Sequence, residues 1–145
     1  MLCSAPDKTG VSMRTARCQC GALSAKTRGE PAGVVACHCS DCQRRSGSVF
    51  GIGAYYLEAD VEITGEATAF SRPTAIGNQF HERFCPKCGT TLYWWSDKNA
   101  GLMGIAVGAF ADPAFPKPQR SVWEQSCHDW VDLSVAQEHF DQGRP

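Results

Sequence analysis

The sequence predicts a single all-β domain tied together by metal-binding cysteines. Three features carry this expectation. Short runs of aromatic and β-branched residues alternate with polar ones, and almost nothing keeps a helical period. Fourteen glycines and eight prolines punctuate those runs. Nine cysteines stand mostly in C-x-C and C-x-x-C spacings. A chain of 145 residues is near the usual size of one domain and can bury a core without help.

Residues 1–13 are polar and turn-rich and read as a flexible tail, in which Cys3 is a free thiol. Residues 14–28 read as a short strand, a tight turn at Cys18-Gln19-Cys20-Gly21 and a returning strand, on which Leu23 alternates with polar neighbours. A turn at 29–33 leads to a strand over 34–39. Ser40-Asp41 offers an N-cap for a short helix over 42–46, closed by Gly47. The aromatic run at 49–57 is a strand whose glycines suggest a bulge or the close approach of another backbone. Strands follow at 61–64 and 67–72, on either side of a turn at Gly65-Glu66. Residues 77–84 set Phe80, Glu82 and Phe84 against His81 and Arg83, and lead into Cys85-Pro86-Lys87-Cys88-Gly89. Two more strands, 90–95 and 102–110, flank the loop at 96–99. Residues 112–118 are proline-rich and irregular. Residues 121–124 and 130–133 read as final strands and 136–140 as one helical turn. The expected organisation is thus a tail over 1–13, a zinc domain over 14–133 and a tail over 134–145.

Composition narrows the function classes. A formal net charge of −1 creates no field that would draw the protein to nucleic acid or to an anionic membrane. The apolar run at 102–110 is broken by Gly104 and Gly108 and is too short to span a bilayer. The first residues lack the apolar core of a secretory signal, so a cytoplasmic protein is expected. In that compartment clustered cysteines point to metal rather than to disulfides, and an odd total argues the same way.

Cys85-Pro86-Lys87-Cys88-Gly89 is a knuckle whose two thiolates face one point, with a glycine that lets the backbone bend around the sulfurs. Cys18 and Cys20, at i and i+2, share one face and can supply two further ligands, with Gln19 pointing away. Such a closed four-cysteine zinc site contributes on the order of 10–16 kcal/mol to folding. Cys37, Cys39 and Cys42 remain. They are one too few to close a tetrahedron, which suggests a metal with a free position. Spacing alone leaves other pairings among the seven cysteines open. His38 points away from its neighbours on a strand and is read as a surface or supporting hydrogen-bonding residue. Zinc held by three thiolates is singly negative, a weak Lewis acid for water and better suited to hold a soft thiolate. A further thiolate makes the assembly doubly negative. Arg44 and Arg45, which follow Cys42, and Arg83 are candidates to balance it.

The segments Cys18-Gln19-Cys20-Gly21, Cys37-His38-Cys39-Ser40-Asp41-Cys42-Gln43-Arg44-Arg45-Ser46-Gly47 and Arg83-Phe84-Cys85-Pro86-Lys87-Cys88-Gly89-Thr90 resemble the glutathione-dependent formaldehyde-activating enzyme family, which includes centromere-protein-V-like members. Val107-Gly108, Asp112-Pro113 and the late tryptophans extend the likeness over about residues 14–133. The resemblance implies a tent-like fold of short antiparallel sheets, related to methionine sulfoxide reductase B. It implies a structural zinc on Cys18, Cys20, Cys85 and Cys88 and a catalytic zinc on Cys37, Cys39 and Cys42. The implied activity joins glutathione and formaldehyde into S-hydroxymethylglutathione, a carbon–sulfur lyase reaction in the reverse sense. The implied partners are a glutathione-like thiol and an aldehyde. One alternative is a zinc- or thiol-binding protein without catalysis. Another is a chromatin module, against which the missing basic stripe counts. Cys127-His128 lies outside the seven-cysteine pattern. Trp94, Trp95, Trp123 and Trp130 read as core or cavity wall, and His81 and His139 carry no assignment.

Overall fold

A computed structural model describes residues 10–144. The placement of Cys3 and of most of the expected N-terminal tail lies outside the described residues. Eleven strands and one short helix form two sheets. β1 (Met13–Arg17), β2 (Ser24–Arg28) and β5 (Val61–Thr64) make a three-stranded antiparallel sheet in the order β1-β2-β5. The larger sheet has eight strands. These are β3 (Gly33–Cys37), β4 (Gly51–Leu57), β6 (Thr68–Pro73), β7 (Gln79–Phe84), β8 (Thr91–Ser96), β9 (Leu102–Ala106), β10 (Arg120–Val122) and β11 (Glu138–His139). Their order is β11-β10-β3-β4-β9-β8-β7-β6. Its pairings are antiparallel except at one edge, where β10 runs parallel to both β3 and β11. Among the described residues no helix is long and apolar enough to cross a membrane.

The alternation read from the sequence places the core. Ala16, Leu23, Ala25, Val34, Ala54, Tyr56, Leu92 and Ile105 are each at most 1% exposed, and they pack with Cys18 and Cys85 between the sheets. Burial of such side chains contributes about 1.5–3 kcal/mol for each large aliphatic or aromatic one.

Several elements differ from expectation. The strand expected over 102–110 stops at Ala106. Residues Val107–Phe110 form a 3-10 turn that carries Phe110 inward to stack on Phe115, with ring centroids 4.6 Å apart. Residues 130–133 form no strand, and Trp130 is 74% exposed. The helical turn expected over 136–140 is instead extended: β11 lies beside β10, with Phe140 N–H donating to Ser121 O and Glu138 N–H to Gln119 O. Sheet pairing overrides the weak local helical preference there. Helix α1 (Ser40–Ser46) begins two residues earlier than expected and is capped by Cys39, not by Ser40-Asp41. The Cys39 Sγ accepts the Cys42 N–H at 3.4 Å. Its C-terminal end is closed by Gly47 in the left-handed conformation, as the sequence predicts.

Candidate functional site

Two cysteine clusters form, from the residues that the spacing singles out. The first joins Cys18, Cys20, Cys85 and Cys88. It is built from two turns of like construction. In one, Cys18 N–H donates to Leu23 O; in the other, Cys85 N–H donates to Thr90 O. Each turns on a glycine with positive φ, Gly21 at 81° and Gly89 at 78°. Cys18 Sγ lies 3.6 Å from Cys20 Sγ, which lies 3.6 Å from Cys85 Sγ. Zinc–sulfur bonds of about 2.3 Å at the tetrahedral angle put sulfurs about 3.8 Å apart. These separations fit a shared metal and are far too long for disulfides. The cluster ties the β1–β2 turn of one sheet to the β7–β8 turn of the other.

The second cluster joins Cys37, Cys39 and Cys42, with all three sulfurs within 4.8 Å of one another. Cys37 ends β3, Cys39 caps α1 and Cys42 sits in its first turn. This cluster too could hold a metal ion. All three of its cysteines line a cavity of about 360 Å³, whereas of the first cluster Cys18 and Cys88 border a separate, wider groove. Hydrogen bonds among the thiols divide their acidities. Cys39 is pulled far down by Cys37 and Cys42, with help from the Arg72 charge. Cys37 is pushed up by Cys39 and Cys42 and by burial.

His38 is a correction to the surface reading. It is fully buried, and its Nε2 lies 3.0 Å from Ser121 Oγ on β10. That contact and Gln43, whose Nε2 donates to His38 O at 2.8 Å, fix the loop between the two cysteines.

Of the three candidate arginines, Arg45 alone lines the cavity. Its guanidinium lies over Trp94, with Cζ 3.7 Å from the ring centroid. Arg44 is exposed on the helix. Arg83 packs over Trp95 at 4.5 Å and donates to Glu82 O. Neither lines the cavity.

The sequence reading passed over three residues at or beside this cavity, Arg72, Glu82 and Tyr55. Arg72 lies over Phe80 at 4.6 Å and faces Asp41 Oδ2 at 3.2 Å. Glu82 stands between the arginines, with Oε1 3.7 Å from Arg45 Nε and Oε2 3.8 Å from Arg72 Nε. Burial pushes its carboxyl up, and the arginines pull it back down without cancelling that. Tyr55 lines the wall, its hydroxyl accepting a hydrogen bond from Trp94 Nε1 at 3.1 Å. Trp123, read from the sequence as core or cavity wall, lines it from a left-handed backbone conformation with φ 58°. A signal for Glu82 existed: a carboxylate sharing a strand face with Phe80 and Phe84 needs a cationic partner.

The glycines of β4 and β9 make room for side chains, not for backbone. A Cβ at Gly53 would lie 2.7 Å from the Trp94 ring, and one at Gly104 would overlap the indole. A Cβ at Gly51 would lie 2.5 Å from an Arg45 terminal nitrogen. Trp94 is thus cavity wall. Trp95 stacks with His81, which faces Asp97 and Ser71. Cys127 joins neither cluster; its thiol donates to His128 O, and His128 contacts Gln43.

Comparisons with known proteins agree with this architecture. A crystal structure of a Rhodobacter sphaeroides protein superposes with a TM-score of 0.54 at 19% identity, over 87% of this chain and 98% of that one. At that identity the likeness concerns the fold alone. No curated protein matches the chain. The sequence model of one family matches residues 13–126, a span that includes both cysteine clusters. The chain therefore belongs to the glutathione-dependent formaldehyde-activating enzyme family.

Proposed function

We propose that the protein is a zinc-dependent carbon–sulfur lyase-type enzyme that joins glutathione or a similar thiol to formaldehyde or a related aldehyde. The contrast between the clusters carries this reading: four thiols can saturate a tetrahedral metal, whereas three leave one position for a ligand from the cavity they line. On this reading Cys18, Cys20, Cys85 and Cys88 hold a structural zinc, and Cys37, Cys39 and Cys42 hold a catalytic one. Zinc on the three thiols would supply a soft Lewis acid that favours the thiolate form of an incoming thiol.

The chain's own residues account for the rest. Arg45 and Arg72 bring positive charge beside the cluster, and Glu82 holds both guanidiniums from below. Adduct formation makes one carbon–sulfur bond, moves the carbonyl π pair onto oxygen, and needs a proton there to match the one the thiol gives up. Tyr55, on the cavity wall, can deliver it, and the proton that the thiol releases restores the phenol. Burial raises its pKa, so the hydroxyl keeps its proton. The bond from Trp94 occupies a lone pair of the oxygen and leaves that proton free to point into the cavity. The reading places this activity in residues 14–133 of a cytoplasmic protein.

The test measures S-hydroxymethylglutathione formation for wild type and Cys42→Ser. Catalysis in the wild type and its loss in the variant are expected. A wild-type rate no greater than the uncatalysed reaction would leave a non-catalytic thiol- or zinc-binding protein. Full activity in Cys42→Ser would remove the three-thiol cluster as the site.

A further inference from the structure

Formaldehyde is neutral and has no group for a guanidinium to recognise beyond its single oxygen. Arg45 is nonetheless built as a recognition group. Its side chain is only 9% exposed. Its Nε is buried without a hydrogen-bond partner among the described residues, because the Glu82 carboxylate stands at 3.7 Å, beyond hydrogen-bond reach. Its Cζ sits 3.7 Å from the Trp94 ring centroid, and a contact of the ring with the guanidinium carbon uses none of the N–H donors, which all lie at the guanidinium edge. Gly51 supplies the space that the terminal nitrogens occupy. Arg72 differs: the two arginines share Glu82, but Arg72 has a second carboxylate, Asp41, within hydrogen-bond reach at 3.2 Å.

The position of Arg45 matters equally. With Gly51 and Trp94 it lines both the cysteine cavity and a wider groove of about 1380 Å³, whose rim includes Arg17, Gln19, Ser46 and Thr90. A ligand lying in the groove with its reacting end at the cysteines passes the free edge of this guanidinium. The group that matches a planar fork of N–H donors at such a boundary is a carboxylate.

We propose that Arg45 is the residue by which this site recognises a carboxylate on its substrate. The proposal rests on the thiol–aldehyde reading for which molecule brings the carboxylate: the thiol, as in a γ-glutamyl peptide, or the aldehyde, as in a 2-oxo acid.

Calorimetric titration separates these sources without any turnover. The probes are S-methylglutathione, which has no free thiol, its diester, and glyoxylate. Wild type is expected to bind one of the two acids about 10- to 100-fold more tightly than its uncharged counterpart, the diester or acetaldehyde. Arg45→Met is expected to erase that preference, and Arg45→Lys to restore part of it. Preference for S-methylglutathione assigns the carboxylate to the thiol, and preference for glyoxylate assigns it to the aldehyde. The wild-type acid-to-ester comparison stands even if Arg45→Met fails to fold. Equal binding of acids and uncharged counterparts by wild type, or a preference that survives in folded Arg45→Met, overturns the proposal. Arg45-dependent acid binding without formaldehyde turnover would sink the enzymatic reading and leave this one standing.

Discussion

Replacing Cys85 by serine tests whether the four-thiol cluster holds the fold together. Cys85 is fully buried and Cys18 is 1% exposed, so half of the cluster lies inside the core. The cluster joins turns from the two sheets, which the Gln19 N–H bond to Thr90 Oγ1 at 3.2 Å also ties. A structural zinc in a small domain is worth on the order of 10–16 kcal/mol. A whole domain is stable by about 5–15 kcal/mol. If removal of one ligand releases the metal, the loss is therefore about as large as the stability of the whole fold. Cys85→Ser is expected to lose one metal per chain and its cooperative thermal transition. Cys42→Ser changes a candidate ligand at the start of a short helix, and is expected to lose one metal while melting cooperatively. Elemental analysis together with calorimetric melting reads both outcomes. A Cys85→Ser protein with full metal content and a wild-type melting temperature would refute the reasoning.

Two further expectations follow from packing and titration. Gly104→Ala drives a methyl into the Trp94 indole, and should lower stability by about 1–3 kcal/mol in urea unfolding. Gly108→Ala, with open space around its position, serves as the near-neutral control. Equal midpoints for the two variants would contradict the packing described. His139 bonds Glu124 Oε1 through Nδ1 at 2.6 Å and Ala136 O through Nε2 at 3.0 Å. Only the imidazolium donates at both nitrogens. Its pKa is raised above 6.5, first by Glu124. A raised folded-state value means that its contribution is complete below pH 6.5 and is lost as pH rises through the folded value. Amide protection factors at Glu138 and Phe140 should fall over that interval in wild type and stay level in His139→Gln. A level wild-type profile would dispose of this linkage.

The cysteine clusters were legible because ligand spacing is local. A C-x-C at i and i+2 or a knuckle of C-x-x-C-G converges on one point whatever surrounds it, and the grouping of seven sulfurs into four and three appears as read. Strand alternation located the core for the same reason, since Leu23, Val34 and Leu92 follow the period of two. The chain end was misread because β11 owes its form to pairing with β10, and Glu138-His139 carries no strand signal of its own. The cap of α1 was misread because a thiol took the place that Ser40 or Asp41 would fill.

The sequence by itself determined the class of fold, the two sets of thiols and the presence of an arginine beside the open set. It could do so because each depends on neighbours within a few positions. Tertiary structure alone decided what surrounds the open set. Arg72 and Glu82 arrive from β6 and β7, Tyr55 from β4 and Trp94 from β8, brought together by sheet order. It also chose between adjacent arginines: on α1, Arg45 turns onto Trp94 while Arg44 faces solvent, a choice set by where the helix meets the sheet.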